Sequence, residues 1–212
     1  ALSGRKAAGG EDFCQLILCC MRGGEEAANR ETVAVAAHFL GKGVCAVDLA
    51  GAEALYPTQE YQPLFAYAQS LGVPFTLHAG EAAGPESVWQ ALELGAARIG
   101  HGVRAGEDPR LVEELARRRV PLELCPTSNL QTKAVPDLAR FPLKEYLAQG
   151  VAATVNTDNM TVSRTTLAQE FASLRLSPQE RRAVLLHSVE AAFLPPAQKA
   201  ALRQAVEAAL AH

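Results

Sequence analysis

The sequence has little of what marks a nucleic-acid partner, a membrane or a disulfide scaffold. Lys and Arg number 20 against 23 Asp and Glu, a net charge of -3, and no basic stripe gathers along the chain. A duplex binder uses such a stripe to neutralise phosphates, so nucleic acid is not an expected partner. No apolar run approaches the ~20 residues of a membrane-spanning helix, and the opening residues lack the form of a signal peptide. Neither a membrane partner nor secretion is expected. The five cysteines, Cys14, Cys19, Cys20, Cys45 and Cys125, are odd in number, form no C-x-x-C pair and sit mostly in apolar runs. That excludes a disulfide framework or a thiolate zinc site and reads as buried, reduced thiols of a cytoplasmic protein. The chain opens on Ala1, an N-terminus expected to be processed, trimmed or the edge of a longer chain.

What is present is a globular pattern. With 212 residues, 49% of them hydrophobic and 20% charged, the chain can bury one full core and reads as a single domain over residues 1–212. Six apolar runs bounded by Gly or Pro predict buried strands: Gln15–Met21, Val44–Leu49, Pro74–His78, Ala97–Gly100, Pro121–Cys125 and Val151–Asn156. Helical patterns alternate with them at Glu31–Leu40, Gln59–Leu71, Glu86–Leu94, Pro109–Arg119 and Leu143–Gln149. A helical tail follows at Thr165–Leu174, Pro178–Ser188 and Pro196–Leu210. Strand–helix alternation predicts an α/β fold with a parallel sheet. A doubly wound sheet would concentrate its chemistry at one Gly-rich turn, and there is no G-x-G-x-x-G. Polar residues instead end nearly every strand, which predicts a (β/α)8 TIM barrel. Such a barrel has eight strands, so two N-terminal units are expected to be missing from this chain.

The strand ends carry the chemistry. Thr76-Leu77-His78-Ala79-Gly80-Glu81 ends a strand in H-A-G-E, where Gly80 lets the chain turn so that His78 and Glu81 can face one cavity. The imidazole can ligate a metal and the carboxyl can act as acid or base beside it; the bland alternative is a strand-end His and an acid at a helix N-terminus. His101 lies between Gly100 and Gly102 at the end of the next strand, where it can join His78. Asp158 follows the last strand, and an acid at a buried strand tip is costly unless paired or metal-bound, so it is assigned to a metal. For Asn156 and Asn159 an Asx-turn leading to the next helix is a substantial alternative. Asp48-Leu49-Ala50-Gly51-Ala52-Glu53 reads either as a ligand-approach turn at Gly51 or as a structural turn with a solvated Glu53. Cys125-Pro126-Thr127-Ser128-Asn129 offers hydroxyls and an amide but no catalyst, and reads as mainly structural. His38 and His212 are given no role.

Taken in order, LILCCMR, VDLAGAE, LHAGE, RIGHG, LCPTSN, VNTDN and the tail Ala191-Ala192-Phe193-Leu194-Pro195 resemble the adenosine deaminase family of zinc aminohydrolases, from Gln15 almost to the C-terminus. The resemblance implies the same barrel and a hydrolytic deamination of adenosine or 2′-deoxyadenosine with one Zn2+ per active site. It implies that His78 and Asp158 bind the metal, that Glu81 protonates the purine at N1, and that His101 orients or deprotonates the attacking water. Gly51 would meet N3 through its N–H. Asn159, standing where many members have a second Asp, would bond N7. The family's His-x-His on its first strand has no counterpart here, so the remaining zinc ligands are expected upstream of Ala1 and this chain alone is expected to be inactive. The alternatives are an AMP or N6-methyl-AMP deaminase, separated by the 5′-phosphate, and a non-catalytic barrel chain that serves a partner. His187 and Glu190 depart from the polar pattern expected of the tail.

Overall fold

The computed structural model describes residues 14–211; Ala1 and His212 lie outside them. All six expected strands form: β1 Leu16–Met21, β2 Val44–Ala50, β3 Thr76–Ala79, β4 Arg98–His101, β5 Leu122–Leu124 and β6 Ala153–Val155. Paired neighbours are parallel, β1 with β2, and β3, β4, β5 and β6 in chain order. The two groups meet at a parallel bridge between Val47 and Phe75. Among the described residues the order never reverses and shows no switch point of a doubly wound sheet; each strand lies beside its chain neighbour as in a (β/α) barrel.

The helices are α1 Glu26–Phe39, α2 Gln62–Ser70, α3 Pro85–Glu93, α4 Pro109–Arg118, α5 Pro126–Gln131, α6 Leu143–Ala148, α7 Met160–Ser163, α8 Leu167–Ser173, α9 Pro178–Ala191 and α10 Pro196–Leu210. Proline opens α3, α4, α5, α9 and α10, where its missing N–H costs nothing and its fixed φ suits the first turn. Ser177 and Glu180 form a reciprocal capping box at the start of α9. The structure departs from the sequence reading in several places, two of which follow. Helix α1 begins at Glu26 rather than Glu31, because an acidic first turn suits the positive end of the helix dipole. Helix α5, unexpected, begins at Pro126 directly after β5 and carries Ser128 and Asn129.

Side chains alternate across the strands. Leu77, Ile99, Leu122 and Leu124 are fully buried in a core shared with Val88, Leu111 and Leu115 of the surrounding helices. The intervening positions form a polar face in register: His78 beside Gly100, Gly100 beside Glu123, and Glu123 beside Thr154. On that face Thr76 donates to Glu123 at 2.7 Å, and Arg98 pairs with the same carboxylate at 2.8 Å. The tail closes the opposite end of the strands. Arg98, opening β4, stacks on Phe193 at 3.9 Å and donates to the Ala191 carbonyl at 3.0 Å. His187 meets the backbone of Ala153, which opens β6, and Glu190 pairs with Arg203 at 2.6 Å. Both tail residues therefore act in closure, away from the carboxyl ends of the strands.

The cysteine expectation needs correcting. Cys20 and Cys125 are buried, but Cys14 and Cys19 are exposed and Cys45 is intermediate; all five are free thiols. Among the described residues strand β1 pairs with β2 alone, and Leu16, Ile17 and Met21 are exposed with Cys19.

Candidate active site

Three of the six candidate residues are in direct contact. His78, near the end of β3, lies over Gly100 of β4, where a Cβ would come within 3.1 Å of its Nδ1. A side chain there would press on the His78 imidazole and Cα, which would have to give way. Asp48 of β2 lies 2.9 Å from the same Nδ1 and also accepts the Leu49 N–H at 2.6 Å. Burial opposes a charge on His78, but the hydrogen bond and charge of Asp48, with Glu123 and Asp158 beyond it, outweigh burial and lift the imidazole to about 9. With Nδ1 donating to Asp48, Nε2 is the nitrogen left for a ligand, the arrangement in which a carboxylate orients a metal-binding histidine.

His101 packs edge-on to His78, ring centroids 4.9 Å apart, and is only 2% exposed. Burial holds its imidazole below the usual range, with Glu81 pulling the other way and His78 adding to the depression. Its Nε2 stands 3.5 Å from Glu81 Oε2. The other Glu81 oxygen accepts from Asn129 Nδ2 at 2.9 Å and Thr132 Oγ1 at 3.0 Å. Asn129 Nδ2 also meets His101 Nδ1 at 3.0 Å.

Gly80 has φ +72°, the sharp turn expected after β3. What holds that turn is Glu53, which is 5% exposed and not solvated as the structural alternative had it. Its carboxylate accepts the backbone N–H groups of Gly80, Glu81, Ala82 and Ala83 at 2.6, 3.1, 2.7 and 3.0 Å. Four donors converging on one buried carboxylate satisfy its charge and fix the peptide that carries Glu81.

Asp158 differs from expectation in one respect: it is exposed beyond the end of β6 rather than buried at its tip. Ser128 of α5 donates its hydroxyl to Asp158 Oδ2 at 2.7 Å. Among the described residues, six other than glycine have positive φ. Four of them, Arg119, Lys133, Arg164 and Arg175, follow helix ends; the other two are His101 at 60° and Asp158 at 55°. Left-handed backbone at such residues costs on the order of 1–3 kcal/mol each and concentrates at functional positions.

Gly51 and Asn159 do not join this cluster. Gly51 is exposed after β2, with φ +111°. Asn159 Oδ1 caps α7 through the N–H groups of Thr161 and Val162 at 3.1 and 3.0 Å, which leaves its Nδ2 available. The residues missed by the sequence reading are those behind the site. Besides Glu53, Ser128 and Asn129, Arg22 donates to the His78 carbonyl at 2.7 Å and to Thr58 Oγ1 at 2.9 Å. Glu170 of α8, fully buried, accepts the Thr127 N–H at 3.0 Å and pins the start of α5.

The donors present suit zinc in kind, an imidazole Nε2 backed by a carboxylate and a second carboxylate at Asp158. In number they fall short. Among the described residues no group of three or more His, Cys, Asp or Glu side chains could hold a metal ion, whereas catalytic zinc takes three protein ligands.

The chain as a whole is similar to known deaminases. An adenosine deaminase from Haemophilus ducreyi is 54% identical over 195 residues, which covers 88% of this chain and 57% of that protein. One from Enterococcus faecalis is 40% identical over 208 residues, 95% of this chain and 62% of that protein. The crystal structure of an adenine deaminase from Arthrobacter aurescens superposes with a TM-score of 0.85 at 29% identity, covering 93% of this chain and 62% of its own. The N6-mAMP deaminase of Arabidopsis superposes with a TM-score of 0.81 at 28% identity, covering 92% of this chain and 59% of its own. The chain thus spans less than two thirds of the length of these relatives, and its six βα units are part of their (β/α) barrel. Residues 3–209 match the adenosine deaminase family, and the chain belongs to it.

Proposed function

We propose that the protein containing this chain deaminates adenosine or 2′-deoxyadenosine hydrolytically, releasing ammonia and the 6-oxopurine nucleoside, with one Zn2+ per active site. The observation that carries this reading is the contact set of His78, Glu81 and His101 at the carboxyl ends of adjacent parallel strands, with Asp48 behind His78. His78 Nε2 and Asp158 would hold the metal, whose Lewis acidity lowers the pKa of water towards ~7. Glu81 presents the carboxyl that protonates the purine at N1. His101 orients the attacking water. The Gly51 N–H meets N3, and Asn159 Nδ2, the free end of that amide, donates to N7. The remaining metal ligands and barrel strands belong to an N-terminal segment, consistent with the relatives' greater length. The thiol content supports a cytoplasmic setting.

A second reading, an AMP or N6-methyl-AMP deaminase, is favoured by the Arabidopsis N6-mAMP deaminase fold match. The relatives at 40–54% identity carry the adenosine name and outweigh it. The test is ammonia release by the full-length protein from adenosine, 2′-deoxyadenosine, AMP and N6-methyl-AMP, before and after chelation. Chelator-sensitive turnover of the nucleosides is expected. Turnover of the 5′-phosphates alone would establish the second reading, and none on any substrate would leave a non-catalytic barrel.

A further inference from the structure

Asn129 is fully buried in the first turn of α5, and each polar atom of its side chain is engaged. Its Oδ1 lies 3.2 Å from the Cys125 backbone nitrogen. A backbone N–H can only donate, so the atom facing it is the amide oxygen, and the orientation of the amide follows. The NH2 group therefore faces Glu81 Oε1 at 2.9 Å and His101 Nδ1 at 3.0 Å. An amide nitrogen only donates. Both partners must accept.

Two proton positions follow. With Nδ1 of His101 an acceptor, the ring proton of the neutral imidazole sits on Nε2, the nitrogen 3.5 Å from Glu81 Oε2. On Glu81, Oε1 receives Asn129 and also the Thr132 hydroxyl, whose approach at 3.0 Å is shorter than its 3.4 Å alternative to the Asn129 carbonyl. A proton carried by that carboxyl is left to Oε2. We infer that Asn129 is a positioning residue that sets both protons of the pair, holding His101 as the Nε2–H tautomer and reserving Oε2 of Glu81 for the transferable proton. The inference rests on the deaminase reading for its consequence in catalysis, but the placement itself does not depend on that reading.

The amide is suited to this task. Aspartate in its place keeps an acceptor for Cys125 but offers His101 no donor, and glutamine adds a methylene that a fully buried site has no room for. Its mounting is rigid. Asn129 also donates its own N–H to the Cys125 carbonyl at 2.8 Å, and Glu170 anchors the start of the same helix through Thr127.

The test uses the full-length protein with 15N-labelled histidine, with the His101 signals assigned by their loss in a His101→Gln variant. Long-range 1H–15N spectra should show the Nε2–H tautomer of His101. In Asn129→Asp they should show the Nδ1–H tautomer, now donating to the new carboxylate, and kcat should fall at least ~10-fold with KM changed less than about threefold. Thr132→Val alters an exposed side chain, so the fold is kept even where Asn129→Asp impairs it. It should lower kcat a few-fold and leave the His101 tautomer unchanged. An Nδ1–H tautomer in the unmodified protein, a persistent Nε2–H tautomer in a folded Asn129→Asp variant, or unaltered kcat in Thr132→Val would each overturn the inference. If no substrate is turned over, the deaminase reading fails, and the spectra still decide the tautomer.

Discussion

Glu53 and Gly80 are joined by a 2.6 Å hydrogen bond from the Gly80 N–H to a carboxylate 27 residues earlier in the chain. The next three N–H groups bind the same side chain. Glu53→Gln leaves one oxygen for four donors and turns an NH2 towards them. The variant should lose about 1–3 kcal/mol of stability in denaturant titration, the cost of unsatisfied buried donors. Because the loosened peptide carries Glu81, kcat should fall at least ~10-fold while zinc content holds. Unchanged kinetics would restrict Glu53 to folding.

Glu81→Gln keeps the shape of the side chain and removes its acid. Zinc measured by atomic absorption should remain stoichiometric in the full-length protein, with turnover down by ~10²-fold or more, as for a removed acid–base group. A loss of less than a few-fold would return Glu81 to a structural part.

The Asp48–His78 pair predicts a graded metal response. His78→Ala should abolish stoichiometric zinc. Asp48→Asn, which weakens the hold on Nδ1 while sparing the ligand, should cut zinc affinity by roughly 10–100-fold in a chelator competition. Equal affinities for Asp48→Asn and the unmodified protein would detach Asp48 from the metal site.

Ser128→Ala removes the 2.7 Å donor to Asp158. Zinc should bind up to ~10-fold more weakly, with the melting temperature of the metal-free protein nearly unchanged because Asp158 is exposed. A large fall in that melting temperature would show that Ser128 acts in the fold instead.

The strands were legible because each is a short apolar run stopped by Gly or Pro, and the strand-end residues His78 and His101 stood out because imidazoles flanked by glycine are conspicuous. The support behind them was not legible. Asn129 lies 48 positions from Glu81 and 28 from His101, and Glu53 lies 27 to 30 positions from the N–H groups it binds. Pairings at such distances depend on how adjacent strand ends are brought together, which no local pattern records.

The left-handed backbone at His101 and Asp158 also bears on how the sequence can drift. At Asp158, which is exposed, Gly or Asn would be more comfortable, whereas His101 is buried and its ring cannot be removed without leaving Asn129 unpartnered. A library of the full-length protein screened for heat resistance without regard to turnover should therefore accumulate Asp158→Asn and Asp158→Gly more often than substitutions at Thr157. The same library screened for turnover should purge them. Heat-selected descendants would remain well-folded barrels and lose their chemistry first at Asp158.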